Sequence, residues 1–202
     1  MNPRVLVRAP RGLLTGLLCL ALAACASVDA TSNSMFEKGL REAEAGDVQR
    51  AIKTLSDGVI EYPNHVRMRF ELARLQYEVG ESHHLLERKG MRDAAVFLEQ
   101  GQREKAMANR RKANEERAQA TPFYQAAREN LRIVTDSEED TARAAWSAFL
   151  LMRTDVFFED WEEAYYNAQR AIELGRPSGP QLAQLREFQA AIKEKMRKKA
   201  RY

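Results

Sequence analysis

The apolar residues of this chain recur at helical spacing over most of its length after residue 33. Ser34 followed by Glu37 has the pattern of a capping box, which predicts that a helix begins at Ser34. Gly46-Asp47 predicts a break after this helix, and Pro63 predicts the end of the next one. Within this second helix the apolar positions follow helical spacing: Ala51, Ile52, Leu55, Val59 and Ile60.

A third helix is predicted to begin at His65 and to end at Gly80-Glu81. Its apolar positions again have helical spacing: Val66, Phe70, Leu72, Ala73, Leu75 and Tyr77. The two predicted breaks, Gly46-Asp47 and Gly80-Glu81, are 34 residues apart. This period is typical of tetratricopeptide repeats, in which each repeat is a pair of helices.

The chain resembles the tetratricopeptide-repeat family at these positions. Lys38 and Glu42 depart from the family pattern, but five residues of the first repeat match it: Met35, Gly39, Ala51, Leu55 and Pro63. The next repeat matches at Leu72 and Ala73. The resemblance implies that such positions pack helices together and are not catalytic. The residues with this implied packing role are Gly39, Gly46, Ala51, Leu55, Pro63, Leu72, Ala73, Gly80, Ala164 and Ala171.

Another helix pair is predicted near the end of the chain. Residues 144–152 read AAWSAFLLM, and residues 159–174 form the second helix of the pair, which Gly175 and Pro177 end. From Ser178 an amphipathic helix resembles the terminal solvating helix of repeat arrays. We therefore expect an all-α fold, a short tetratricopeptide-like α-solenoid of antiparallel helix pairs over residues 34–177. A C-terminal capping helix and basic tail follow in residues 178–202.

Residues 81–120 do not keep the repeat register. Gly101 to Met107 (GQREKAM) is similar to Gly46 to Ile52 (GDVQRAI), which favours a degenerate repeat. Alternatively the segment is a helical insertion, and a helix from Thr121-Pro122 to Val134 completes the second repeat; we prefer the insertion. Met107 is the only large aliphatic residue between Leu98 and Pro122. A helix here is therefore expected to project or to lie loosely on the surface.

The chain begins with the pattern of a secretory signal. An uncharged stretch from Gly12 to Val28 ends in small residues, and no acidic residue occurs before Asp29. The basic residues that precede the stretch are Arg4, Arg8 and Arg11. The stretch is a little short for a membrane-spanning helix, so we expect it to be removed.

Residues Leu22, Ala23, Ala24 and Cys25 resemble the lipobox of bacterial lipoproteins. This resemblance implies that residues 1–24 are cleaved, that Cys25 carries the lipid, and that residues 25–33 form a linker. Cys19 leaves with the signal, so no disulfide is expected. Because Ala26 follows the cysteine, the resemblance implies a lipid-anchored protein at the periplasmic face of the outer membrane. The alternatives are an ordinary signal and an uncleaved helix with an accidental match.

The charge balance changes once the signal is set aside. The whole chain has 32 Lys and Arg against 29 Asp and Glu, and the three signal arginines account for the surplus of +3. The remaining chain is formally neutral, so the sequence does not favour a nucleic-acid partner. Its length suits one domain.

The usual catalytic residue patterns are weak in this sequence. His83 and His84 are adjacent and cannot share one helix face, and His65 is expected to cap a helix or to line a turn. We predict no metal site, no cofactor and no catalytic residue. An acidic group could serve glycoside hydrolysis, but Ser137 with Asp140 is better interpreted as a helix cap. This group comprises Asp136, Glu138, Glu139 and Asp140.

Candidate partner-binding residues come from two sources. Five aromatic residues within ten positions exceed what one helix buries, so some of them could line a binding surface. They are Phe157, Phe158, Trp161, Tyr165 and Tyr166. The tetratricopeptide resemblance implies a concave groove formed largely by first helices. The candidate partner-binding residues are therefore Arg69, Gln76, Arg143, Ser147, Trp161 and Tyr165.

The sequence thus predicts a non-enzymatic scaffold, anchored to a membrane by lipid, that holds an envelope protein or peptide. This step rests on family analogy, since a fold alone does not give a function. Two alternatives are an envelope enzyme, or its accessory, that acts on peptidoglycan, and a small-ligand binding module. The first predicts the acidic group in a cleft, and the second predicts a pocket lined by the aromatic residues.

Overall fold

The computed structural model describes residues 30–137 and 141–199, and these residues form seven α-helices without a β-strand. The first helix, α1, covers residues 30–44. The others are α2 (Val48–Glu61), α3 (Val66–Glu99), α4 (Arg103–Thr135), α5 (Thr141–Phe157), α6 (Trp161–Gly175) and α7 (Gly179–Lys199). Neighbouring helices pack in pairs, which confirms the prediction of an all-α fold.

Helices α1 and α2 pack closely through a glycine. A Cβ atom added at Gly39 would lie 2.5 Å from Leu55 Cδ2, so no larger residue fits between the two helices. Asp47 caps α2 by accepting a hydrogen bond from the backbone N–H of Arg50. Gly46 has a φ of +83°, which favours glycine at the turn. The predicted break at Gly46-Asp47 and the end of α2 before Pro63 are thus confirmed.

The predicted start of the first helix is wrong, because α1 is already helical at residue 30. Ser34 therefore lies inside the helix, and residues 30–33, expected in the linker, are helical. The physical reason is packing upstream of the capping-box pattern. Ser32 and Phe36 lie one helical turn apart and are both buried, so the helix continues past Ser34.

Helix α3 begins as predicted and ends much later. His65 caps it, with its Nδ1 accepting a hydrogen bond from the backbone N–H of Met68. The predicted end at Gly80-Glu81 is wrong, because α3 continues to Glu99. Gly80 serves a close contact instead of a break, since a Cβ there would lie only 3.1 Å from the Tyr124 ring. The 34-residue spacing of the two glycines is therefore not a spacing of two turns.

Helix α4 returns along α3 to form a long antiparallel hairpin, which turns at Gly101 (φ +73°). The predicted helix start at Thr121-Pro122 is wrong, since α4 passes through Pro122. Pro122 is exposed, and the Thr121 hydroxyl donates a hydrogen bond to the carbonyl of Arg117. Residues 81–120 thus form the outer parts of α3 and α4.

The hairpin is held by small residues at intervals of seven. On α4 the buried residues at this interval are Ala106, Ala113, Ala120, Ala127 and Val134. On α3 small residues occupy three of the four positions at this interval, Ala73, Gly80 and Ala94, and Glu87 occupies the fourth. This spacing is the heptad repeat of a coiled coil, and small side chains let the two helices approach closely. Of the two expectations for this segment, a projecting helix and a helix that lies loosely on the surface, the second is wrong, because alanine and glycine pack the segment instead of large aliphatic residues.

The two ends of the chain pack against the inner half of the hairpin. A core cluster joins α1 and α2 to Leu72 and Leu75 of α3. A second cluster joins Tyr77 of α3 and Tyr124 and Leu131 of α4 to α5. Helix α6 packs on α5, and α7 packs on α6 mainly through Ile192, the one residue of its described length that is fully buried. The predicted last helix is confirmed, although most of its apolar stripe is only partly covered.

A buried ion pair lies where α4, α5 and α6 meet. Asp155 is fully buried, and its Oδ1 lies 2.7 Å from Arg128 Nε without the alignment of a hydrogen bond. Asn167 donates a hydrogen bond of 2.8 Å to the other carboxylate oxygen. Burial raises the pKa of Asp155 to about 6, although Asn167 and Arg128 act in the opposite direction.

Candidate functional site

An open cleft of about 670 Å³ lies at the C-terminal end of α5, where α3, α4, α6 and α7 converge. Apolar and aromatic side chains line the cleft together with several basic side chains. The aromatic residues that line it are Tyr124, Phe157, Trp161 and Phe188, and the basic ones are Arg88, Arg117, Arg153, Lys195 and Lys199. Volume and composition are those of a ligand or peptide site.

Glu81 is the central acidic residue of this cleft. Its Oε2 accepts hydrogen bonds from the hydroxyls of Tyr124 (2.6 Å) and Tyr77 (3.2 Å). Its Oε1 accepts a hydrogen bond of 2.6 Å from Arg153. Burial acts to raise the pKa of Glu81, but the bonds from the two tyrosines and the charge of Arg153 outweigh it and lower the pKa. Glu81 is therefore an ionised anchor for the hydrogen-bond network near neutral pH.

The two tyrosines of this network remain protonated donors. Burial is the main cause that raises the pKa of Tyr124, and the hydrogen bond to Glu81 raises it further. Burial likewise raises the pKa of Tyr77, against the opposing charge of Arg153. Since one carboxylate receives donors from α3, α4 and α5, the network fixes the three helices relative to one another.

A second group of polar contacts borders the cleft, and two of its members, His84 and Arg117, line it. Glu87 accepts a hydrogen bond from Arg117 Nη1 at 3.0 Å, and its other oxygen lies 2.8 Å from His84 Nδ1. Arg117 also donates to the carbonyl of Phe157 and stacks over the Phe157 ring at 4.6 Å. Arg117 is therefore held in place by both the hairpin and the end of α5.

The remaining basic residues of the cleft are not held by carboxylate partners in the described part of the chain and are more available to bind an anionic group. Lys195 lies 5.9 Å from the centre of the Trp161 ring. Arg88 and Lys199 form no ion pair within the described residues. Because Arg117 and Arg153 already have carboxylate partners, the remaining positive charge of the cleft comes from Arg88, Lys195 and Lys199, and Glu159, which also lines the cleft, offsets part of it. Such a site can hold apolar groups on its aromatic wall and anionic groups at its edge.

The structure places the predicted partner-binding residues in several regions. Trp161 lines the cleft, and Tyr165 is partly buried against α7. Arg69 donates hydrogen bonds to the carbonyl of Pro63 and to Asn130, away from the cleft. Gln76 and Ser147 are buried, with 7% and 0% of their surface exposed, so the structure does not support a surface role for either. Arg143, at the start of α5, is partly buried and already has an interaction partner.

Most of the residues with an implied packing role are buried. Eight of them lie within contacts between helices: Gly39, Ala51, Leu55, Leu72, Ala73, Gly80, Ala164 and Ala171. Gly46 and Pro63 are exposed in the turns beside α2. Two of these residues thus shape turns, whereas the others fill the space between helices.

The histidines, the acidic group and Cys25, the predicted lipidation site, also differ in location. His83 Nδ1 lies 2.8 Å from Glu116, whereas His84 belongs to the cleft. Within the described residues no group of His, Cys, Asp and Glu is arranged to hold a metal ion. Asp136 accepts a hydrogen bond from Arg170 at 2.7 Å and does not line the cleft. Glu138, Glu139, Asp140 and Cys25 lie outside the described residues.

Sequence reasoning missed most of the cleft. The sequence predicts Glu81 in a turn and Arg117 in a loosely packed segment, yet both belong to the central hairpin. A usable signal was the seven-residue spacing of Ala106, Ala113 and Ala120, which predicts a coiled-coil seam. That seam would have shown that α3 and α4 bring Glu81, Glu87 and Arg117 together.

Together the fold and the cleft define an all-helical protein of packed helix pairs with an amphipathic, basic cleft. Among the helices of the described ranges, none has both the length and the apolar character needed to cross a bilayer. No protein-family model matches the chain, and no curated protein sequence matches it significantly.

Proposed function

We propose that this protein is a non-enzymatic scaffold that is anchored by lipid at the periplasmic face of the bacterial outer membrane and holds a partner protein. The lipobox-like residues up to Cys25 support the anchor. The cleft beside α5 supports the binding role, because its aromatic wall and basic edge suit a protein segment that has both apolar and acidic side chains. The cleft is the observation that carries the proposal.

We also propose a tetratricopeptide-like unit for α1 and α2. The close approach at Gly39 and the buried Ala51 and Leu55 support it, since these residue types occur at the family's packing positions. The long α3–α4 hairpin then extends this unit beyond an ordinary repeat. A scaffold of this kind offers a rigid helical surface to its partner.

In-cell photocrosslinking tests the scaffold proposal. A photoreactive amino acid replaces Phe188, which is 39% exposed in the cleft, or Ile60 on α2 as a control, which is 79% exposed. We expect one envelope protein to be crosslinked at position 188 and not at position 60, with its identity established by mass spectrometry. The absence of a protein adduct in a correctly folded and anchored protein would contradict the proposal.

A second candidate function is the binding of a small amphiphilic ligand. Phe157 and Trp161, two members of the aromatic group, line the cleft, and its volume is within the usual range for ligand pockets. Native mass spectrometry of the protein extracted in mild detergent tests this candidate. A stoichiometric bound mass that is lost when Trp161 is replaced by alanine would favour the ligand over the partner protein.

A further inference from the structure

One side of the α3–α4 hairpin is covered by α5 along its inner half only. Tyr77, Tyr124 and Leu131 are buried there against residues of α5. Phe157 is the last residue of α5, so the cover ends at the level of His84 and Arg117, which both contact the Phe157 ring. The same side of the hairpin continues beyond this point without α5.

The heptad spacing identifies the residues of the uncovered part. Met91 and Leu98 follow Tyr77 and His84 at intervals of seven on α3, so they point toward the same side. On α4, Arg110 and Arg103 precede Tyr124 and Arg117 at the same interval. We call the following six residues the distal face: Arg88, Met91, Leu98, Arg103, Met107 and Arg110. Four of them, Leu98, Arg103, Met107 and Arg110, line one shallow depression.

The distal face is apolar, basic and exposed. Met91, Leu98 and Met107 have 44%, 51% and 71% of their surface exposed. None of the three arginines forms an ion pair with another described residue. Ala95 and Asn114, nearby on the same side, are uncharged, and an acidic residue that adjoins this face is Glu115, which lines a neighbouring depression with Met107 and Arg110. Exposed apolar groups between unpaired like charges indicate a surface that lacks its binding partner.

Helix α5 shows what kind of helix this side of the hairpin accepts. It contributes apolar residues to the core and charges opposite to those of the hairpin. Asp155 of α5 pairs with Arg128, and Arg153 of α5 pairs with Glu81. Because the charges of α5 are opposite to those that they meet on the hairpin, a helix bound to the arginines of the distal face would need acidic flanking residues.

We propose that the distal face binds an acidic amphipathic helix of a partner protein, which lies end to end with α5 along the hairpin. This inference rests on the proposed scaffold function and names the chemistry of the partner. Residues seven apart on a helix are separated by about 10 Å, so acidic residues spaced by seven would match Arg103 and Arg110. A second copy of this chain fits less well, because two faces with three arginines each would repel.

A designed peptide tests the proposal with the purified mature protein. The probe is an 18-residue helical peptide with leucine at the core positions of each heptad and glutamate at the flanking positions. Fluorescence anisotropy is expected to show saturable binding that weakens as salt increases. The double change Arg103→Glu and Arg110→Glu is expected to weaken binding at least about tenfold.

A matched control changes the same amount of charge on the other side of α4. Lys105 and Lys112 are also exposed and seven residues apart, and Lys105 packs near Phe97 away from the distal face. Lys105→Glu with Lys112→Glu is expected to leave peptide binding within about twofold. No binding, or equal loss in both double variants, would overturn the proposal.

The same variants also test whether the distal face binds a membrane or a second copy of this chain instead. If Arg103→Glu with Arg110→Glu abolishes binding to phosphatidylglycerol vesicles but not to the peptide, the distal face is a membrane surface and the proposal is wrong. If it abolishes a dimer seen by sedimentation, the occupant is a second copy, and the proposal is also wrong. A partner crosslinked at position 188 together with a failed peptide test would leave the scaffold function standing and reject only this inference.

Discussion

Asp155 is a buried carboxylate with a shifted pKa. It is fully buried, and its pKa of about 6 is higher than that of an ordinary aspartate. The groups that face it are Arg128 and Arg132 of α4, Asn167 of α6 and Asp160 beside α6. Because its pKa is raised, the folded state retains a proton at Asp155 where the unfolded state has lost it.

This linkage gives a prediction for the pH dependence of stability. The free energy of unfolding contributed by Asp155 is highest below about pH 4 and falls as the pH rises to about 6, by up to about 3 kcal/mol. Asp155→Asn removes this titration. Urea denaturation at several pH values is therefore expected to show that the variant gains stability relative to the wild type between about pH 4 and 7.

Parallel curves for the two proteins would contradict this assignment. Other groups cancel in the comparison, including Glu81, whose lowered pKa gives the opposite sign. The stability that Glu81 contributes is present above its unfolded pKa and is lost as the pH falls through its folded pKa.

At the scale of elements, the long hairpin is the feature that the sequence predicted least well. Large aliphatic residues at helical spacing are the usual signal of a packed helix, and the outer parts of α3 and α4 contain few of them at their contact. Ala113 is 1% exposed, and a Cβ on Gly90 would lie 3.1 Å from its side chain, so the contact depends on small residues. Because glycine breaks isolated helices, the sequence predicts a helix end at Gly80, yet Gly80 lies inside α3, where the Tyr124 ring leaves little room for a larger side chain.

The seam, meaning the contact between α3 and α4 that includes Gly80, Gly90 and Ala113, can be tested with one substitution and one control. Ala113→Leu places a large side chain between the helices and is expected to destabilise the protein by about 1–3 kcal/mol. Ala118→Leu, on the exposed side of α4, is expected to change stability by less than about 0.5 kcal/mol. Urea denaturation measures both, and hydrogen exchange is expected to accelerate in residues 81–120 of the first variant.

Equal stability of the two variants would show that the seam is loosely packed. That result would also remove the basis for assigning the distal face, because the heptad register defines which residues lie on it.

At the scale of the whole molecule, the positions of helices along the chain were more predictable than the way in which the helices pack together. Apolar periodicity and caps located α2, α5, α6 and α7, because these depend on local sequence. The cleft depends on contacts between residues far apart, such as Glu81 with Arg153, and local patterns do not encode them. Trp161 was identified because an excess of aromatic residues is itself a local signal.

The proposed anchor gives the prediction for the whole protein. Cys25→Ser is expected to abolish acyl labelling and to release the protein from the membrane fraction, because the lipid is the attachment. Cys19→Ser is the matched control, and it is expected to leave labelling and location unchanged. Labelling with a palmitate analogue followed by fractionation measures both. Retention of label in the Cys25→Ser protein would contradict the lipobox assignment.

The seam of alanine and glycine residues also has a thermal consequence. Unfolding the outer hairpin exposes little large apolar surface, so its heat-capacity change is small for its length. The free energy of unfolding of the outer hairpin is therefore expected to curve less with temperature than that of the core clusters around α1–α2 and α5–α6.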